Sequence, residues 1–267
     1  MAQAQSFCIG GGTVGEHLPF VNTECSTLAD PYQNMLIPTL NEPCVNQQEL
    51  NELIADWRSD RDAVENHEIE ENQRWAEALA AGQTFYPTFF EKNHLKPGNY
   101  CEGLVLNAKE FNLDPGVYNI SGGSLIFGLG TELIGEDVTF VLHGDVNIQI
   151  SNGSILDIKA PNTGLMKGLV IAQNLKNKSI FDPTYPNIKT VITSGAKLDL
   201  LGTVYLPSHK VQFLGGSLSK THAPATSFIA HQISIDDGAN ITVSADHVAA
   251  GTIPIQPRSD EGVRLVK

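Results

Sequence analysis

From residue 95 onward the chain alternates apolar and polar positions in short runs, each bounded by Gly, Asn, Asp or Ser. Period-2 alternation over so few residues predicts short, half-buried strands. The runs fall at 104–106, 116–120, 124–127, 138–142, 146–150, 155–158, 168–172, 190–193, 197–200, 202–206, 211–213, 227–230, 232–235 and 240–243. Polar residues inside them, such as Asn147, Gln149 and Asp157, mark a strand face turned outward. One phrase occurs twice: Leu95-Lys96-Pro97-Gly98-Asn99-Tyr100 and Leu113-Asp114-Pro115-Gly116-Val117-Tyr118. Pro-Gly makes a tight turn, because proline fixes φ and glycine accepts φ > 0. A turn-plus-strand unit recurring about every 20 residues is a solenoid signature. A β-sandwich and a parallel β-helix both fit this pattern, and the turn spacing with its recurring x-Gly-x units favours the β-helix.

The first 94 residues differ in texture. Residues 1–45 carry Gly10-Gly11-Gly12 and four prolines and are expected to be irregular. Residues 46–81 predict helix. Asn46 is a fitting N-cap with Glu49 three residues on, and Leu50, Leu53, Ile54, Trp57 and Val64 follow at helical spacing. Ile69, Trp75, Ala78 and Leu79 continue it after a slip in phase near Glu65–Glu71; one helix or two are both open, and the slip favours a break or bend there. Phe85, Tyr86, Phe89 and Phe90 form an aromatic stretch suited to closing one end of a solenoid core. The expected organisation is a cap over 1–94 with a helical segment near 46–81, a β-helix over 95–250 and a tail over 251–267.

Charge narrows the function classes. The net charge is −13, which is unsuited to nucleic acid or to an anionic membrane face. Residues 46–81 hold ten acidic and three basic side chains, more than half of that charge. A solvated face is the plain reading of such a run. The sharper one is a partner-docking arm, with Trp57, Trp75, Glu70 and Glu71 as its contact residues. No apolar run of 18 residues predicts a transmembrane helix. Met1–Ser6 has neither a basic nor an apolar signal region and reads as a mature N-terminus with an initiator Met. Cys8, Cys25, Cys44 and Cys101 are even in number and lack zinc spacing, which suits two disulfides in an exported protein. Of three connectivities, Cys8–Cys25 with Cys44–Cys101 is the favoured one.

Candidate chemistry is sparse. Asp236-Asp237 precedes Gly238 and reads as an Asp-Gly turn rather than a glycosidase pair. There is no Arg between Arg74 and Arg258, which argues against a lyase that must stabilise an anion. A metal site from His143, Asp145 and a neighbour one coil away is weighed against ordinary turn residues. No phosphate loop and no Ser-centred elbow occurs, and no cofactor is expected. The four Asn-x-Ser/Thr sequences read as turn chemistry.

Beyond these features, the phrases at 97–104 and 113–123 resemble the C-terminal region of TadG-like proteins of the bacterial tight-adherence (Flp pilus) assembly systems. The resemblance continues through Gly135–Gly144, Ile158–Gly164, Gly168–Gln173 and Gly202–Pro207 and covers roughly residues 95–245. It implies an envelope or surface protein of pilus biogenesis or adhesion and not an enzyme. It also implies that Cys101 pairs with an upstream cysteine such as Cys44.

The reading is a mainly β protein: a right-handed parallel β-helix with a disulfide-stapled N-terminal cap and an acidic helical segment. Its expected role is structural or adhesive, in the extracellular space or cell envelope, through protein partners of the envelope or pilus. A carbohydrate-binding or polysaccharide-processing β-helix is the alternative, and an exported subunit that associates end to end is a third.

Overall fold

A computed structural model describes residues 94–107, 110–174, 188–216, 218–219, 226–236 and 238–241, with shorter stretches before residue 82. Near the N-terminus β1 (Phe7–Cys8) pairs in parallel with β2 (Val21–Asn22). The main body is one long parallel sheet through which the chain runs in circuits. The first circuit is β3 (His94–Leu95), β4 (Gly98–Tyr100) and β5 (Leu104–Leu106). The second is β6 (Glu110–Leu113), β7 (Gly116–Ser121) and β8 (Ser124–Phe127). The third is β9 (Glu132–Gly135), β10 (Val138–His143) and β11 (Asn147–Ile150). The fourth is β12 (Ile155–Lys159), β13 (Leu169–Asn174) and β14 (Ile188–Ile192). A single strand, β15 (Lys197–Phe213), makes the fifth, and β16 (Leu218–Ser219) with β17 (Thr226–Ile235) makes the sixth; β18 (Asn240–Ile241) follows.

Each strand pairs in parallel with the strand at the same place in the next circuit, which produces three ladders. The first ladder is β3-β6-β9-β12-β15 and then β16 and β18. The second is β4-β7-β10-β13-β15-β17, and the third is β5-β8-β11-β14-β15-β17. The arrangement is consistent with the parallel β-helix expected from the sequence, at a period of about 22 residues in all but the fourth circuit.

The core follows from this register. Leu106, Phe127, Ile150, Ile192 and Phe213 occupy one column of the third ladder, and all are buried. Between them Val105, Asn147, Gln149 and Lys189 are exposed, as alternation requires. Asp157 is exposed too, so all three polar strand positions singled out in the sequence face outward.

The corners are built by small residues. Thr131, Ser154, Ala196 and Ala239 each donate a backbone N–H to the carbonyl three residues back, at 3.0–3.2 Å. The preceding Gly130, Gly153, Gly195 and Gly238 have φ between +66° and +83°, the third-position conformation of a type II turn. The Asp-Gly reading of residues 236–238 therefore holds.

The repeated Pro-Gly phrase has a packing reason. The Tyr100 hydroxyl donates to the Lys96 carbonyl at 2.6 Å, and the Tyr118 hydroxyl donates to Asp114 at 2.9 Å and to Leu95 at 2.5 Å. In each copy a buried phenol reaches back across the turn to the residue before proline. The two copies do not align strand on strand. Gly98 pairs with Tyr118, and Tyr100 with Ile120, a displacement of two residues. It brings Gly116 (φ +146°) against the Pro97 ring, where a Cβ would lie 2.8 Å from the ring carbons. Burial pushes both phenols well above their ordinary range, with the Tyr100 and Asp114 neighbours adding to the effect at Tyr118. Tyr118→Phe is expected to destabilise by about 1–3 kcal/mol, since the Leu95 and Asp114 carbonyls each lose the phenol as a donor. Urea unfolding measures this, and a change of a few tenths would mean the hydroxyl contributes nothing.

The N-terminal residues do more than cap an end. Cys44 and Cys101 form a disulfide with Cα atoms 5.6 Å apart. Cys44 also bridges to Asn99, and Val45 N–H donates to the Asn99 carbonyl at 2.7 Å. Leu50 joins the main core, with Val45 packed against it. Tyr32, Met35 and Ile37 lie against the outside of the second ladder, on Val141, Met166, Leu169, Ala172 and Tyr205. The Tyr32 and Tyr205 rings are 5.0 Å apart. This strap explains why β10 is buried on both faces, where one exposed face was expected.

Asn46 caps a helical start: its Oδ1 accepts from Gln48 N–H at 2.9 Å, and its carbonyl from Leu50 N–H at 3.0 Å. Gln73, Arg74, Ala76, Glu77 and Ala80 are also helical. Ala81 follows in a turn, its N–H donating to the Glu77 carbonyl at 3.0 Å; the rest of the segment expected over 46–81 lies outside the described residues, as do the aromatic stretch at 85–90 and the tail at 251–267.

Candidate functional site

Among the described residues, polar side chains gather at three places. The first is the outer surface of the second ladder. Asn99 and Asn119 are buried there, and His143 and Asn174 are half-buried. Asn174 Nδ2 lies 3.0 Å from His143 Nδ1, His143 Nε2 lies 3.0 Å from Asn119 Oδ1, and Asn119 Nδ2 donates to Asn99 Oδ1 at 3.0 Å. One direction of donation satisfies the whole row: Asn174 to a neutral His143 carrying its proton on Nε2, then to Asn119, then to Asn99. Both ring nitrogens of His143 are thereby engaged. The metal site weighed for His143 and Asp145 would have to break this row, and no group of three metal-binding side chains occurs among the described residues.

The second place is the outward face of the first ladder. Asp157 and Asp199 are register partners on β12 and β15, so their backbones stand one strand spacing apart, about 4.8 Å. Lys159 is on the same strand as Asp157 and is hydrogen-bonded to Glu136. Partial burial, and then the Asp199 carboxylate, push the Asp157 carboxyl above its usual range, with Lys159 opposing. Retaining glycosidases place their two carboxyls about 5–5.5 Å apart. The sequence analysis weighed only Asp236-Asp237 for this role, reading it as a turn, and missed Asp157 and Asp199, because the register that joins them is invisible in a linear reading.

The third place is inside the core. Gln173 occupies a column that holds Leu142 one circuit earlier, and its Oε1 accepts Ser208 N–H at 3.1 Å. His209 is fully buried, with Nδ1 2.9 Å from Thr190 Oγ1. Its Nε2 and the Ser208 hydroxyl are buried without hydrogen-bond partners. Burial lowers the His209 pKa to about 4. The folded chain therefore binds fewer protons there than the unfolded one, whose histidine titrates near pH 6.5. Stability at this site is complete above pH 6.5 and falls as pH drops toward 4, by about 3 kcal/mol in all. His209→Asn should flatten that part of the stability–pH curve relative to the parent chain, and parallel curves would refute the assignment.

Of the residues singled out in the sequence, Cys44 and Cys101 are joined. Cys8 lies in β1, and its pairing with Cys25 falls outside the described residues, as do Trp57, Glu70, Glu71 and Trp75. No helix among the described residues is long and apolar enough to cross a membrane.

No family model, characterised protein or solved structure matches this chain.

Proposed function

We propose that the chain winds as a right-handed parallel β-helix and serves as a structural or adhesive component of a bacterial surface filament or of its tight-adherence pilus assembly machinery. The observation that carries this reading is the set of three in-register parallel ladders around one apolar core. Stacked repeats of this kind make a stiff spacer whose flanks present regularly spaced side chains. The Cys44–Cys101 disulfide suits an oxidising, extracytoplasmic setting, and the resemblance to TadG-like proteins supplies the filament context. On this reading the protein acts through protein contacts in the envelope and not as an enzyme. Cross-linking in the native host, followed by mass spectrometry, tests it. Links to pilin or secretion-channel subunits are expected. Recovery with surface polysaccharide and no envelope protein would overturn it.

One observation favours a second reading, a carbohydrate-binding or polysaccharide-processing β-helix: the register pairing of Asp157 with Asp199 on neighbouring strands. That reading expects a glycan bound or cleaved by the parent chain and ignored by Asp157→Asn and Asp199→Asn. Equal behaviour of all three proteins would remove it.

A further inference from the structure

We propose that two copies of this chain associate tail to tail through the outer edge of β17, the last described strand of the third ladder, in a two-fold dimer. Every earlier circuit keeps its inward third-ladder residues dry: Val211 and Phe213, the register partners of Ile233 and Ile235, are each 1 % exposed. Ile233 and Ile235 continue those core columns yet are 44 % and 48 % exposed. Among the described residues β17 pairs with β15 alone. Its third-ladder half, His231-Gln232-Ile233-Ser234-Ile235, carries no Lys, Arg, Asp, Glu or Pro, the residues that ordinarily protect a strand edge from pairing.

The opposite end is closed. Leu104 and Leu106 of the first circuit are fully buried, and Cys44, Val45 and Leu50 cover that end. Head-to-tail stacking, which would build an open filament, lacks a second open end. Tail-to-tail contact uses the same patch on both copies and closes on itself.

The edge is also self-complementary. In an antiparallel pair, residues directly opposite share a face. A two-fold axis through Ser234 places Ile233 of one copy opposite Ile235 of the other, twice, continuing the apolar columns across the junction. The same register places Gln232 opposite Asp236, an amide donor against a carboxylate. Each chain carries a net −13, so added salt should tighten the dimer by screening. The inference does not depend on the filament reading.

Light scattering on the purified full chain at about 100 μM tests it, against the 28.9 kDa of one copy. The expected mass is twice that value, falling to one copy in Ile233→Lys/Ile235→Lys with the circular dichroism spectrum retained. Ser234→Cys keeps the test open if the lysine variant fails to fold. A cysteine on the axis should cross-link two chains under mild oxidation, whereas Gln212→Cys, one strand back from the edge, should not. A monomeric parent chain overturns the inference, whether the chain's own residues or nothing at all covers the Ile233–Ile235 edge. So does a dimer that survives Ile233→Lys/Ile235→Lys.

Discussion

Phe140→Ala should lower the unfolding free energy by about 3–5 kcal/mol. The ring is fully buried on β10. It sits 5.3 Å from the Tyr118 ring of the preceding circuit, and 5.9 Å from Phe127, which it meets edge-on. It is in register with Tyr118 on one side and Ile171 on the other. Truncation therefore opens a cavity shared by three circuits, and strands pinned by parallel hydrogen bonds have little room to collapse into it. Val105→Ala is the control, because that side chain faces outward on β5 and should change stability by no more than a few tenths. Urea unfolding of the two variants against the parent chain gives the comparison. Similar losses for both would mean that Phe140 is not in a packed core.

The second large effect is expected from the disulfide. Cys44 and Cys101 close a loop with a sequence separation of 57. On the chain-entropy account that cross-link is worth about 4 kcal/mol relative to the open chain. Its position adds to this: it ties Cys44 and Val45, which pair with Asn99, and Leu50, which joins the main core, to the first circuit. Cys44→Ala/Cys101→Ala should unfold at a markedly lower temperature than the parent chain, and reductant should shift the parent and leave the variant unmoved at this site. Equal unfolding temperatures with and without reductant would show that the cross-link constrains nothing.

Much of the strand pattern was legible in the sequence, because burial on one face imposes a period of two that survives in runs as short as Asn147–Ile150. The corners were legible for a related reason. Gly153-Ser154 and Gly195-Ala196 place a residue free to take positive φ beside one small enough for the inside of a turn. The Cys44–Cys101 pairing was reached as well.

Other features were not legible. Three runs at 197–200, 202–206 and 211–213 fall in the single strand β15, which passes from β12 to β13 to β14 as partners, with its register on β17 shifting between Leu206 and Lys210, around Pro207. The first ladder was nearly invisible before residue 155: Glu110–Leu113 and Glu132–Gly135 mix polar and apolar residues over only four positions. The strap of Tyr32, Met35 and Ile37 was missed, although the unbroken apolar run at 169–172, and 138–142 with Thr139 as its one polar residue, signalled strands covered on both faces. The candidate site was the least legible part. Asp157 meets Asp199, and His143 meets Asn119 and Asn174, only through registers that long-range pairing sets. A buried His209 among apolar columns contradicts the usual placement of histidine and had no sequence signal.

The winding itself is tested most directly by spin-label distances along one column of the third ladder. Val105, Ile126, Gln149, Val191, Gln212 and Ser234 are successive register partners. Labels paired between Val105 and each of Val191, Gln212 and Ser234, diluted into unlabelled chain, should give backbone separations of about 14, 19 and 24 Å, one strand spacing of about 4.8 Å per circuit. The step from Gln149 to Val191 should count as a single spacing although residues 150–190 lie between them. Equal increments in this order are the result a parallel β-helix requires. Distances that do not grow in equal steps from Val191 to Gln212 to Ser234, as in two sheets packed face to face, would contradict it.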